Sequence, residues 1–182
     1  MVNNKNMEKV SKQQWLLEKY VSYFFIYSFV GWVFEVIVTL FENQELVNRG
    51  YLTLPILPIY GFGALLISLI FKDDDHQWFY VALVGGLIAT LLELITSYAL
   101  EYLFDVSMWD YSELQYNFDG RISLLTSVFF MIGSVLIVKV LNPIFERKLR
   151  RFKYNPKLEY FLGILCLITF IDFIYSTIIL IK

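Results

Sequence analysis

Residues Phe79 to Phe104 read FYVALVGGLIATLLELITSYALEYLF, and this stretch decides the fold. It stays apolar over a length that crosses a hydrocarbon core of about 30 Å at about 1.5 Å per residue, so it predicts a transmembrane helix. A carboxylate in the middle of such a helix is costly against lipid and ordinarily faces a protein interior or a water-filled cavity. Glu93 stands at that position. At about 100° per residue, Thr90, Glu93, Ser97 and Glu101 share one narrow face, while Leu87, Leu91, Leu92 and Ile95 cover much of the rest. The helix therefore carries a polar stripe, which is a candidate site.

Composition extends this reading to the whole chain. Hydrophobic residues make up 58% of the 182 and aromatic residues 19%, with a mean hydropathy of +0.58, more apolar material than a soluble domain of this size needs for its core. The net charge of -2 hides a segregation of sign along the chain, and nothing in it suggests nucleic-acid binding. A single cysteine, Cys166, sits in an apolar run, which excludes an intramolecular disulfide framework and a cysteine-pair metal site. His76, beside Asp73, Asp74 and Asp75, has no second histidine to join it, so that run reads as a solvated turn and no metal site is expected.

Working outward, the segment before Phe79 is less regular. Pro55 and Pro58 forbid one continuous helix from Leu52 to Phe71, and from Pro58 onward only about 14 residues remain, roughly 21 Å of helix. The second span is therefore expected to be a part-helix, broken or re-entrant, entering from the outer side beside Glu35 and Glu93, with Gly61 and Gly63 allowing close approach of another backbone. Span one is Tyr20 to Phe41, in which Tyr27, Gly31 and Glu35 recur on one face. Ahead of it, Met1 to Lys19 forms a polar cytoplasmic segment in which Trp15, Leu16 and Leu17 suit a short amphipathic lead-in on a membrane surface. Span one is too long for a secretory signal and lacks a small-residue cleavage site, so it is expected to stay in the mature protein.

Downstream of Phe104, the Asp105 to Arg121 loop is long and rich in Trp, Tyr and Asn. It suits either a cover packed over a site or an interfacial aromatic anchor. Span four, Ile122 to Leu141, is expected to end at Asn142-Pro143, before a basic run that includes Arg147, Lys148, Arg150, Arg151, Lys153 and Lys157. Span five, Tyr160 to Ile181, carries Asp172 with Thr169, Tyr175 and Ser176 on one face.

The predicted fold is all-α: a polytopic transmembrane helical bundle of about five spans, with residues 20–182 as one transmembrane domain after the polar segment 1–19. The positive-inside rule puts the N-terminus and the Arg147 to Lys157 loop in the cytoplasm and the Asn43 and Asp105 loops outside, with the C-terminus outside, in a plasma membrane. Glu35, Glu93, Glu101 and Asp172 then fall in the outer half near Arg49 and Arg121, where the two arginines are expected to neutralise the acids in a pocket open to the outside.

Several motifs together resemble the bacterial ABC transporter permeases of the type IV, CmpB-like kind. They are Tyr27-Ser28-Phe29-Val30-Gly31-Trp32 with Glu35, Val47-Asn48-Arg49-Gly50-Tyr51-Leu52, Pro58-Ile59-Tyr60-Gly61-Phe62-Gly63-Ala64, Leu92-Glu93 with Thr96-Ser97, Trp109-Asp110-Tyr111-Ser112, and Asn117-Phe118 with Gly120-Arg121-Ile122. Leu54, Leu57 and Met108 depart from the family's pattern of glycine, cysteine and tryptophan at those places. The resemblance implies a permease-like membrane protein and names no substrate.

Three functions remain open from the residues. A permease would bind a small solute at Glu35, Arg49, Tyr60, Glu93, Ser97, Glu101, Trp109, Asp110, Tyr111, Asn117, Arg121 and Asp172, and would need a separate ATPase subunit, since the chain has no GxxxxGK[ST]. A membrane-embedded enzyme would use Glu93 or Glu35 as general base on a lipid-like substrate held by Arg49 and Arg121. A structural or regulatory subunit would use the same charges to fix helix register. The permease reading is favoured over the enzyme. Membrane lipids and a second copy of the chain are further expected partners, and no cofactor is expected.

Overall fold

The computed structural model describes residues 2–44, 48–72, 75–153 and 155–180, with side chains described from Ser11 onward except Glu42 and Asn43. Val47, Asp73, Asp74 and Ile181, named above, lie outside the described residues. Five helical rods make up the described residues. They are α1 (Val2–Asn43), α2 (Pro58–Ile70), α3 (Trp78–Phe104), a fourth rod built from α4 (Leu124–Leu136) and α5 (Asn142–Leu149), and α6 (Pro156–Leu180). Four of these rods contain segments long and apolar enough to cross a membrane: Ser11–Phe41, Trp78–Phe104, Leu124–Phe152 and Pro156–Leu180. Their outer faces are apolar and exposed, with Phe34, Ile37, Leu87, Ile95, Ile132, Leu136, Phe170, Ile171 and Ile178 all uncovered, as helices immersed in lipid require. The chain is an all-α membrane bundle.

Length singles out α2. Its 13 residues make about 20 Å of helix, short of a crossing, and Pro58 at its first turn supplies the fixed φ that starts a helix while Leu57 before it stays extended. Residues 48–57 are not helical. The break expected from the prolines is present, and neighbours meet the polar groups of this irregular backbone: Leu57 N–H donates to Ser28 C=O on α1 at 2.9 Å, and Asn48 Nδ2 donates to Thr53 C=O at 3.2 Å.

Small residues set the packing. A Cβ on Gly61 would strike Ser28 and Phe24 of α1, and one on Gly85 or Gly86 would strike Ser134 or Met131 of α4, so these helices meet with backbones close together. Apolar clusters then fill the seams. Phe25, Leu52, Ile56 and Leu162 join α1 and α6 through the irregular segment, while Ile67, Phe71, Val81 and Val138 join α2, α3 and the fourth rod.

Two elements differ from the sequence expectation. The polar lead-in and span one form a single helix, α1, running from Val2 to Asn43. The fourth rod passes through Asn142-Pro143 instead of ending there. Pro143 cannot donate to the carbonyl four residues back, and the helix widens into a π turn at Ile137–Leu141 just ahead of it. Side chains from other helices hold that point: Tyr23 Oη donates to Asn142 C=O at 3.1 Å, Tyr27 Oη donates to Asn142 Oδ1 at 2.7 Å, and Asn142 Nδ2 donates to Ser68 Oγ at 2.9 Å.

The basic ends of the chain converge at one end of the bundle. Lys19 Nζ pairs with Glu146 Oε2 at 2.7 Å, Arg150 pairs with the other oxygen of the same carboxylate at 2.8 Å, and Gln14 donates to Glu159 at 3.0 Å. The start of α1 and the loop between the last two rods therefore share a side, as their common positive charge predicts.

Candidate functional site

The polar stripe of α3 makes its contacts in order along the helix. Thr90 Oγ1 donates to Ser127 Oγ of the facing helix α4 at 3.1 Å. One turn on, Glu93 is 5% exposed; its Oε1 accepts a hydrogen bond from Tyr111 Oη at 2.9 Å, and its Oε2 is buried with no hydrogen-bond partner. Ser97, also buried, accepts from Arg121 Nη1 at 3.0 Å, and Glu101 near the end of the helix pairs with Arg121 Nη2. The face predicted from helical spacing is thus the face that meets α4 and the loop.

That loop is folded on itself. Phe118 pairs with Ile122 in a two-residue antiparallel ladder, β1 (Asn117–Phe118) with β2 (Ile122–Ser123), and Asp119-Gly120 make the turn with φ of +56° and +66°. Asp-Gly suits such a turn because both central residues need positive φ, and a Cβ on Gly120 would also lie 2.8 Å from Asp110 Oδ1. Asp110 Oδ1 accepts from Ser112 N at 2.9 Å, Asn117 Oδ1 accepts from Gly120 N at 3.0 Å, and Trp109 Nε1 donates to Arg121 C=O at 2.9 Å. Trp109, Asp110 and Asn117 therefore hold the loop's shape, and the shaped loop presents Tyr111 and Arg121 to α3.

A second tyrosine enters from α2. Tyr60 Oη donates to Glu35 Oε1 of α1, across the break that the prolines create. Glu35, Tyr60, Glu93 and Tyr111 lie within electrostatic reach of one another. Burial pushes the Tyr111 phenol well above its ordinary value, the carboxylates of Glu93 and Glu35 push it further, and Arg49 pulls it back. Tyr111 and Tyr60 are thus the two hydroxyl donors of this cluster.

Of the four expected acids, Arg121 pairs with Glu101, and no ion pair reaches Glu35, Glu93 or Asp172 among the described residues. Arg121 is committed to Glu101, to Ser97 and to Asp119 Oδ2 at 3.0 Å, with its guanidinium 4.0 Å from the Tyr98 ring centroid. Its hydrogen bond and that of Tyr98 hold the Asp119 carboxyl below the usual carboxylate range. Arg49 is exposed, and its charge is felt in the cluster at Tyr111. Asp172 is engaged elsewhere: it accepts from the Thr53 hydroxyl and from Leu54 N at 3.1 Å, so it clamps the irregular segment to α6, with Tyr51 and Thr177 sharing a further hydroxyl contact.

Among the described residues no group of three or more His, Cys, Asp or Glu side chains gathers as a metal site. Sequence reasoning missed Asp119, Tyr98, Thr53 and Asn142. Only Asp119 had a local signal, the Asp-Gly turn; the other three are defined by partners far away in the chain.

The chain matches one protein family over residues 22–177, a span that holds every element of this cluster. It belongs to the family described as "Putative ABC-transporter type IV". No curated protein and no solved structure matches it. Membership and the four long apolar rods fit a membrane component of an ABC-type transporter. Among the residues that led to this family in the sequence, the fold pairs Tyr60 with Glu35, Tyr111 with Glu93, and Arg121 with Ser97 and Glu101.

Proposed function

We propose that this ABC-transporter type IV family member is a permease, and that the Glu35, Tyr60, Glu93 and Tyr111 cluster binds its solute from the outer side of a cell membrane. One observation carries the reading. Glu93 Oε2 is buried without a partner, a state that costs free energy unless something binds there. A carboxylate serving only to fix helix register is expected to have both oxygens satisfied.

The basic end, with Lys19 and Arg150, supports a cytoplasmic placement for that side, which leaves the Glu93 end facing out. The Trp109 to Arg121 loop covers the cluster there. Energy coupling would come from a separate ATPase subunit at the cytoplasmic end, because the chain has no phosphate-binding GxxxxGK[ST] loop.

The test is a thermal-shift panel on purified protein in detergent, using methylammonium, glycine and acetate as representatives of three charge classes. The expected result is stabilisation by at least one class in wild type and none in Glu93→Gln. Equal stabilisation of folded Glu93→Gln, or no response to any class, rejects the site.

A further inference from the structure

Resting on that reading of the cluster, we infer that its ligand is a compact monovalent cation, a metal ion or a primary ammonium group, held between Glu35 and Glu93. The assignment follows from where the positive charges are. Arg121 is consumed by Glu101, Asp119 and Ser97, and Arg49 is exposed, so no ion pair reaches Glu35 or Glu93 among the described residues. The hydrogen bonds they do receive come from neutral phenols, Tyr60 and Tyr111.

Two carboxylates facing two phenols form an acid-only cluster. Glu93 is buried while Glu35 is half-buried, and an ionised carboxylate buried like Glu93 without a cation is strongly disfavoured, so a cation placed there offsets that cost. Glu93 Oε2 is the free ligand atom. An anion would meet two like charges there, and a zwitterion would leave its carboxylate facing Glu35 or Glu93 with both nearby arginines already placed elsewhere. On α1 the same face carries Ser28, two turns before Glu35, whose hydroxyl is fully buried and also has no partner. The α1–α2 seam therefore holds a second vacant polar atom. Close helix contact at Gly31 against the Tyr60 ring and at Gly61 against Ser28 leaves little room, which limits the ligand to a small one.

Among the described residues, the groups bonded to the pair are the hydroxyls of Tyr60 from α2 and Tyr111 from the loop after α3, and the charge of the exposed Arg49 is felt at Tyr111. None is an acid or base that replaces Glu35 or Glu93 in this role.

Calorimetric titration of the full-length protein in nanodiscs tests the inference, with methylammonium chloride and sodium chloride as probes and choline chloride at matched ionic strength as the control. Saturable binding of methylammonium or sodium is expected in wild type and Cys166→Ser, weakened about 10-fold or more in Glu93→Gln and in Glu35→Gln. Glu35→Gln keeps Glu93 and its bond from Tyr111, so it decides the matter if Glu93→Gln fails to fold. An identical response to choline, or unchanged affinity in Glu93→Gln, overturns the inference. Glu93-dependent binding of glycine or acetate without cation binding also overturns it, while leaving the solute site standing.

Discussion

Tyr111, in the loop after α3, donates its hydroxyl to Glu93 in the body of that helix at 2.9 Å, and so fastens the loop over a carboxylate that keeps an unpartnered buried oxygen. The same residue pair links the loop to the carboxylate cluster beneath it. A change in either partner should be felt in both loop order and site occupancy.

Tyr111→Phe removes the donor and leaves both Glu93 oxygens without a hydrogen bond. The cost should be about 1–3 kcal/mol, seen as a lower melting temperature in detergent together with faster proteolysis of the Trp109 to Arg121 loop. An unchanged melt and unchanged cleavage would show that the contact does not hold the loop.

Close helix contact makes the glycines unequal. Gly61→Ala and Gly85→Ala force a methyl into Ser28 or Ser134 and should destabilise by about 1–3 kcal/mol. Gly133→Ala and Gly163→Ala meet nothing within 4 Å and should be neutral or stabilising by up to about 1 kcal/mol from helix propensity. Thermal unfolding of the four variants in one detergent ranks them, and equal behaviour of the two pairs would refute the packing.

Sidedness is open to direct labelling. With the exposed Cys166 first replaced by Ser, a cysteine at Glu113 should react with an impermeant maleimide from outside intact cells, and one at Lys148 only after the membrane is opened. Labelling of Lys148→Cys from outside would invert the bundle and move the Glu93 cluster to the cytoplasmic side.

Acid should loosen the Arg121 hook. The folded Asp119 pKa is depressed, chiefly by its hydrogen bond from Arg121, so its contribution is present above the unfolded value of about 3.9 and is lost as pH falls through the folded one. Trp109, whose indole donates to the Arg121 carbonyl, reports on this region by fluorescence. A transition below about pH 4 that disappears in Asp119→Asn is expected, and a transition that survives that substitution would assign the acid response elsewhere.

Much of this was legible in the residues because the relevant rules are local. The length and apolar content of Phe79 to Phe104 required a membrane helix, and helical spacing put Thr90, Glu93, Ser97 and Glu101 on one face, where each found a partner. Pro55 and Pro58 required the break before α2, and the shared positive charge of Lys19 and Arg150 predicted their meeting at one end. Each of these follows from backbone geometry or from the cost of placing a group in lipid, neither of which depends on a distant neighbour.

Tertiary structure alone decided who pairs with whom. Asp172 carries the same mid-helix signature as Glu93, yet it clamps Thr53 and Leu54, because the irregular segment docks on α6 and leaves its backbone N–H groups there. Arg121 turned to Asp119 and Glu101, within reach of its own hairpin, and so left Glu35 and Glu93 to two phenols. Pro143 reads locally as a helix end, but the helix widens into a π turn ahead of it and the rod continues, with the Tyr23 and Tyr27 hydroxyls of α1 bonded to Asn142. In each case the deciding partner lies on another segment. Its position is set by how helices pack through Gly31, Gly61, Gly85 and Gly86, which no periodicity within a single helix encodes.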